Sequence, residues 1–302
     1  MEKKHSLPLI LAVALTLTTL VQSTTLVLAQ EDTLAVETAQ PTTSQLLVIP
    51  ATTSLSDLVV ETTSDADQIK TLQVYYQQAI LQYRTYEREA LVSQTQYQQL
   101  RTLSSLEEAV VKTKLAESSR DEVLATHISL LFFELRSTLG VNLTQKEPTL
   151  KALELSFTAL KEHKQQVDAV TTRDELVIVT DSFIELGAAV QSVSDQAQVL
   201  ITLGRLQTVH DNSRVTLEKI AKEFENSQLS PSELSKQQRA LVVTRDADAK
   251  LTSLFQITYQ DMERYSVGSR WTNLQEGLTD IYGNLSQLLA YLEELAQNTQ
   301  SS

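Results

Sequence analysis

The sequence predicts an all-α protein, an elongated antiparallel helical bundle or coiled coil of three long, kinked helices, with six shorter helices in a compact bundle as the alternative. Three observations lead there. Six glycines and five prolines in 302 residues are too few for the turns of a many-stranded fold. After residue 64 the only prolines are Pro148 and Pro231, so three segments of similar length remain, about 65–139, 148–226 and 231–297. Within them apolar residues recur at alternating three- and four-residue spacing, the period of a buried helical seam.

The chain opens with residues that read as an export signal over 1–29. Lys3 and Lys4 supply a basic start, an uncharged apolar run begins at Leu7, and Val27 and Ala29 place small residues where a signal peptidase cuts. Cleavage is expected between Ala29 and Gln30. The competing reading is an uncleaved anchor, because Leu7 to Ala29 is long enough to span a bilayer, although Thr16, Thr18, Thr19, Gln22 and Ser23 interrupt it. The chain has no cysteine, which excludes a lipoprotein anchor, disulfides and thiolate metal sites together.

Residues 30–64 are rich in Thr and Ser, contain Pro41 and Pro50, and show no sustained helical period. They read as a flexible linker, a tether with little apolar surface to bury beyond the short run LLVIP. The helical bundle then occupies 65–297, and 298–302 form a tail.

The first helical segment carries five of the nine tyrosines between Thr71 and Leu100. Tyr76, Tyr83 and Tyr97 share one heptad letter with Ile69 and Ala90, while Leu72, Ala79, Tyr86 and Leu100 occupy the other. This stripe is expected to be a seam in which each ring is buried and each hydroxyl reaches the wet edge. An aromatic ligand face is the alternative. Tyr75, beside the stripe, is expected to face outward. Ser105 and Glu108 stand in capping-box register and mark a kink or a turn.

Gly140 ends this segment as a left-handed residue, and Thr144 with Glu147 cap the next helix ahead of Pro148. In the second segment Leu176, Val179, Phe183, Leu186, Val190, Val193, Ala197 and Leu200 form the seam, with a second capping box at Thr172 and Glu175. In the third, Ser230, Pro231 and Glu233 open the helix. There Trp271, Leu278, Leu285 and Leu292 alternate with Leu274, Ile281, Leu288 and Leu295, and Gly268 marks a mid-length break. Gln207, Gln238 and Arg245 are expected as polar seam residues that fix register or mark where the bundle opens to a partner.

Several chemistries are missing from the pattern. A net charge of −13 with no Lys/Arg cluster repels a phosphate backbone, so nucleic acid is not an expected partner. His127, His163 and His210 lack the spacing of a zinc helix or of a carboxylate-bundle iron site, and His127 reads as a packing residue. The Asp-Ala-Asp run from Asp246 to Asp248 lacks a calcium loop's glycine and terminal glutamate. Nucleophile elbows and phosphate loops are missing as well. No catalytic, metal-ligating or cofactor-binding residue is identified, and no ligand site is assigned.

The sequence therefore leads to the expectation of an exported, non-enzymatic spacer, scaffold or adaptor of the cell envelope, secreted, periplasmic or on the cell surface. Its partner would be an envelope or surface protein, or a second copy through the coiled-coil seams. Contact with the membrane is expected only if the N-terminal segment remains as an anchor. An extracytoplasmic sensor or ligand-binding bundle is the alternative.

Overall fold

The computed structural model describes residues 64–225, 231–264 and 271–300. These contain six helices and no strand: α1 (Asp65–Leu100), α2 (Leu103–Ser137), α3 (Leu143–Ala169), α4 (Arg173–Glu225), α5 (Pro231–Arg264) and α6 (Trp271–Gln300). The protein is all-α, and of the two expected arrangements the six-helix alternative is the one observed. Ala29, Gln30, the linker up to 63, Ser230, Gly268 and the last two residues lie outside the described residues, as does the side chain of Trp271.

The first break is a reversal where three kinked helices would have needed continuity. Arg101 takes a left-handed conformation, φ 50°, and its N–H still bonds the Tyr97 carbonyl at 2.9 Å. Thr102 then caps α2 by accepting from Ser105 N at 3.2 Å, while Ser105 Oγ returns to Thr102 N at 3.1 Å. The box begins three residues before the expected Ser105 with Glu108, because a Ser at the third helical position closes it as a Glu would. Two residues thus suffice to turn the chain.

The second break confirms Gly140 as left-handed, φ +79°, but corrects the helix start that follows. Asn142, ahead of the expected Thr144, is the cap: its Oδ1 accepts from Gln145 N at 2.9 Å. Pro148 consequently sits in the second turn of α3 instead of opening it, where its ring nitrogen cannot donate to the Thr144 carbonyl. At the third break Thr172 accepts from Glu175 N at 3.3 Å and Glu175 Oε2 accepts from Thr172 N at 3.1 Å, the expected box.

The chain divides into two compact units. The larger runs up to Asp211 and includes Ala249–Leu285. In it α2 lies antiparallel to α1, as the pairs Tyr75–Glu122 (2.8 Å) and Glu89–Lys112 (2.7 Å) require. α3 is antiparallel to α2, through Asp121–His163 and the bond from Lys114 Nζ to Val170 O. α4 returns alongside both, antiparallel to α3 and parallel to α2. Ile128, Phe133, Leu135, Leu153, Phe157, Leu160 and Leu203 are among its fully buried side chains.

Loop and helix approach closely at one point of this unit. The backbone at Gly140 lies against Gly204 of α4, and a Cβ on Gly204 would come within 2.7 Å of the Leu139 carbonyl oxygen. A side chain at either position would overlap backbone.

The smaller unit takes Asn212–Asp248 and the residues from Ser286. Leu217, Ile220, Leu288, Leu292 and Leu295 are buried in it, and Arg214 Nε stands 3.6 Å from Asp248 Oδ1. Along α6 the seam positions Ile281, Leu285, Leu288, Leu292 and Leu295 are buried as the heptads require, while Leu278 is half-buried. In α5 the expected polar seam is displaced: Gln238 and Arg245 are exposed, and Thr244, one residue earlier, is the buried polar side chain. Gln207 of α4 is half-buried and donates to Asp211 Oδ1 at 2.9 Å.

Candidate functional site

The densest polar constellation lies inside the larger unit, between α2, α3 and α4. Both of its anchors occupy seam positions. His163 follows Leu153, Phe157 and Leu160 at three-four spacing on α3, and Asp121 precedes Ala125, Ile128 and Phe132 in the same way on α2. Helix packing therefore drives an aspartate and a histidine, 42 residues apart, into one buried layer.

Asp121 Oδ2 and His163 Nδ1 are 2.6 Å apart, and His163 Nε2 stands 3.0 Å from the Val179 carbonyl of α4. A carbonyl can only accept, so Nε2 carries a proton. One further proton is shared between Nδ1 and the carboxylate. Burial raises the Asp121 carboxyl above its ordinary range, against the lowering effect of His163.

Arg120 closes the layer on one side. Its guanidinium lies over the Phe183 ring of α4, 3.2 Å from the centroid, with Nη2 at 2.5 Å from Glu117 Oε2 and 3.6 Å from Asp121 Oδ1. Burial also raises Glu117. On the other side Glu122 pairs with Lys164 and accepts the Tyr75 hydroxyl. Burial alone would raise Glu122, but Lys164 and Tyr75 prevail and hold it below its ordinary range.

This geometry answers the question of the tyrosines. Tyr76, Tyr83, Tyr86 and Tyr97 are half-buried along the inner face of α1, the seam reading. Tyr76 stacks on His127 of α2 at 5.6 Å between centroids, and burial lowers the pKa of that imidazole. Tyr83 donates to Glu87 at 2.9 Å, and burial together with that bond pushes its phenol up to about 12. Two expectations fail: Tyr75 faces inward to Glu122, and Leu100 is exposed because α1 ends there.

Asp121 Oδ1 and Arg120 Nε are buried in the layer without a hydrogen-bond partner, and its chemical capacity turns on His163. A histidine acting as a general base needs one nitrogen free to receive a substrate proton. His163 has Nδ1 on Asp121 and Nε2 on Val179, so the trio ties three helices together. Among the described residues no group of three or more His, Asp or Glu is placed to hold a metal ion. Asp121 and His163 were each visible as polar residues at apolar positions. Their pairing depends on the α2–α3 reversal, which neither residue encodes.

In comparison with known proteins, the chain matches no family model, and neither a curated sequence nor a solved structure matches it.

Proposed function

We propose that this is an exported, non-enzymatic helical-bundle protein that acts in the cell envelope as a spacer, scaffold or adaptor through protein contacts. The observation that carries this reading is the apolar surface left on the outside of helices whose inner faces are already satisfied. Leu81 and Leu91 on α1, and Ile178 and Ile184 on α4, are each at least 60% exposed, at spacings that give each helix an apolar outer face. A bundle that needed only to fold gains nothing from such faces, and exposed apolar patches mark surfaces that bind other proteins.

Fractionation of the natural host, with N-terminal sequencing of the recovered protein, tests the export component. A mature chain that begins at Gln30 outside the cytoplasm is the expected result. Recovery in the cytosol with Met1 or Glu2 at its start would overturn it. Photocrosslinkers placed at Leu81 and Ile184 in living cells test the contact component, with discrete protein adducts expected from both sites and none from the exposed Asp168.

A further inference from the structure

The two outer faces carry opposite charge. On α1 the arc that presents Val74, Leu81, Leu91 and Val92 also presents Lys70, Arg84 and Arg88, and from Lys70 to Thr95 it contains no carboxylate. On α4 the arc with Val177, Ile178, Ile184 and Ala188 presents Asp174, Asp181 and Glu185, and no cation from Asp174 to Ala188. At 100° per residue each set falls within about one third of the helix circumference. Among the described residues none of these six charged side chains has an ion-pair partner.

We infer that the α1 outer face docks on the α4 outer face of a second copy of this chain, giving head-to-tail assembly. The spacing supports the match. Arg84 and Arg88 are one turn apart, as are Asp181 and Glu185, so two cations can meet two carboxylates while leucine and isoleucine side chains pack between them. A dimer that set α4 against α4, or α1 against α1, would oppose like charges. An α1–α4 contact that is not returned between the same two copies is heterologous, and such contacts continue into rings or filaments instead of closing at two.

A membrane is the other surface that an apolar helix face could meet. A stretch of α4 is apolar and long enough to cross a bilayer by length and composition alone. Its face, however, places Asp181 and Glu185 among the isoleucines, and carboxylates are costly in hydrocarbon. The second copy offers those carboxylates arginines.

The inference deepens the scaffold reading by naming its partner, and it is tested on the full chain expressed in and purified from its own host. Sedimentation velocity should show wild type passing through species larger than a dimer as concentration rises. Ile178→Glu with Ile184→Glu blocks the α4 face, and Leu81→Glu with Leu91→Glu blocks the α1 face; each variant should stay monomeric with an unchanged far-ultraviolet spectrum. Mixed in equal amounts, the two should form a complex that stops at one copy of each, because one open α1 face meets one open α4 face. A second set guards against misfolding: Arg84→Glu with Arg88→Glu should weaken association at least about tenfold, and Asp181→Arg with Glu185→Arg mixed with it should restore assembly. Wild type that stays monomeric or stops at a closed dimer, a mixture that does not pair, or a monomer that co-sediments with neutral phosphatidylcholine vesicles would each overturn the inference. None of those outcomes bears on where the protein is located, so export and self-assembly stand or fall separately.

Discussion

Asp121 Oδ2 lies 2.6 Å from His163 Nδ1 with both side chains withdrawn from solvent, the carboxylate fully and the imidazole to 5%. The pair holds α2 to α3, and Val179 extends the link to α4.

Breaking it from one side is the more damaging change. Asp121→Ala leaves the buried His163 Nδ1 without its partner and should cost about 3 to 5 kcal/mol. The double variant Asp121→Leu with His163→Leu should recover most of that loss, since packed apolar groups avoid the desolvation of two ionisable ones. Urea unfolding of the single and double variants checks this. Losses that simply add would show that the two residues act independently.

The neighbouring pair makes stability depend on pH. Glu122 is held below its ordinary value of 4.5 when folded, because Lys164 and Tyr75 outweigh the effect of burial. Its contribution is therefore complete above the unfolded value and is lost as pH falls through the lower folded one. Lys164→Met should lower stability by about 1 kcal/mol at pH 7, a modest figure because both side chains stay partly in solvent. The gap to wild type should narrow as pH falls below 4.5 through the lowered folded value. A gap that persisted in acid would assign the effect of Lys164 to packing.

The glycines separate into opposite classes. Gly204→Ala pushes a methyl group into the Leu139 carbonyl and the side chains beside it, and should destabilise by about 1 to 3 kcal/mol. Gly283→Ala on α6 meets nothing within 4 Å and should stabilise by about 1 kcal/mol through helix propensity. Thermal melts that rank the two alike would contradict the loop–helix contact at Gly204.

The seam of α6 gives the plainest mutational contrast. Leu285 is fully buried, so Leu285→Ala should cost about 2 to 5 kcal/mol. Glu294 is exposed, and Glu294→Ala should stay within about 0.5 kcal/mol. Chemical denaturation of both variants decides it.

These cases also mark what the sequence could tell. Ile281 to Leu295 was readable because a period of three and four repeats without interruption, and Thr172 with Glu175 because a capping box is local. The turn at Arg101 was not, since a non-glycine left-handed residue leaves no compositional mark, and the helix pair on either side looked like one long segment. Pro148 misled because proline favours the first turn, while Asn142 and Gln145 supplied a cap further upstream. In α5 the apolar pattern is weak enough that Thr244 could not be told from Arg245 as the inward residue. Asp121 with His163 was beyond local reading altogether, as was the inward turn of Tyr75, because both depend on which helices become neighbours.

The brevity of the connections has a kinetic consequence. Arg101 and Thr102 alone join α1 to α2, and Val170 to Thr172 join α3 to α4. Each helix in the first part of the chain thus packs against the one made just before it, which keeps the loops that must close short and the entropy lost in closing them small. Folds dominated by such near-neighbour pairing form in microseconds to milliseconds. The α1–α2 hairpin can pair as soon as Ser137 is free, with Asp65 meeting Arg136 at its open end, and α3 then finds a template already standing. Assembly in the order of synthesis is written into the lengths of the turns.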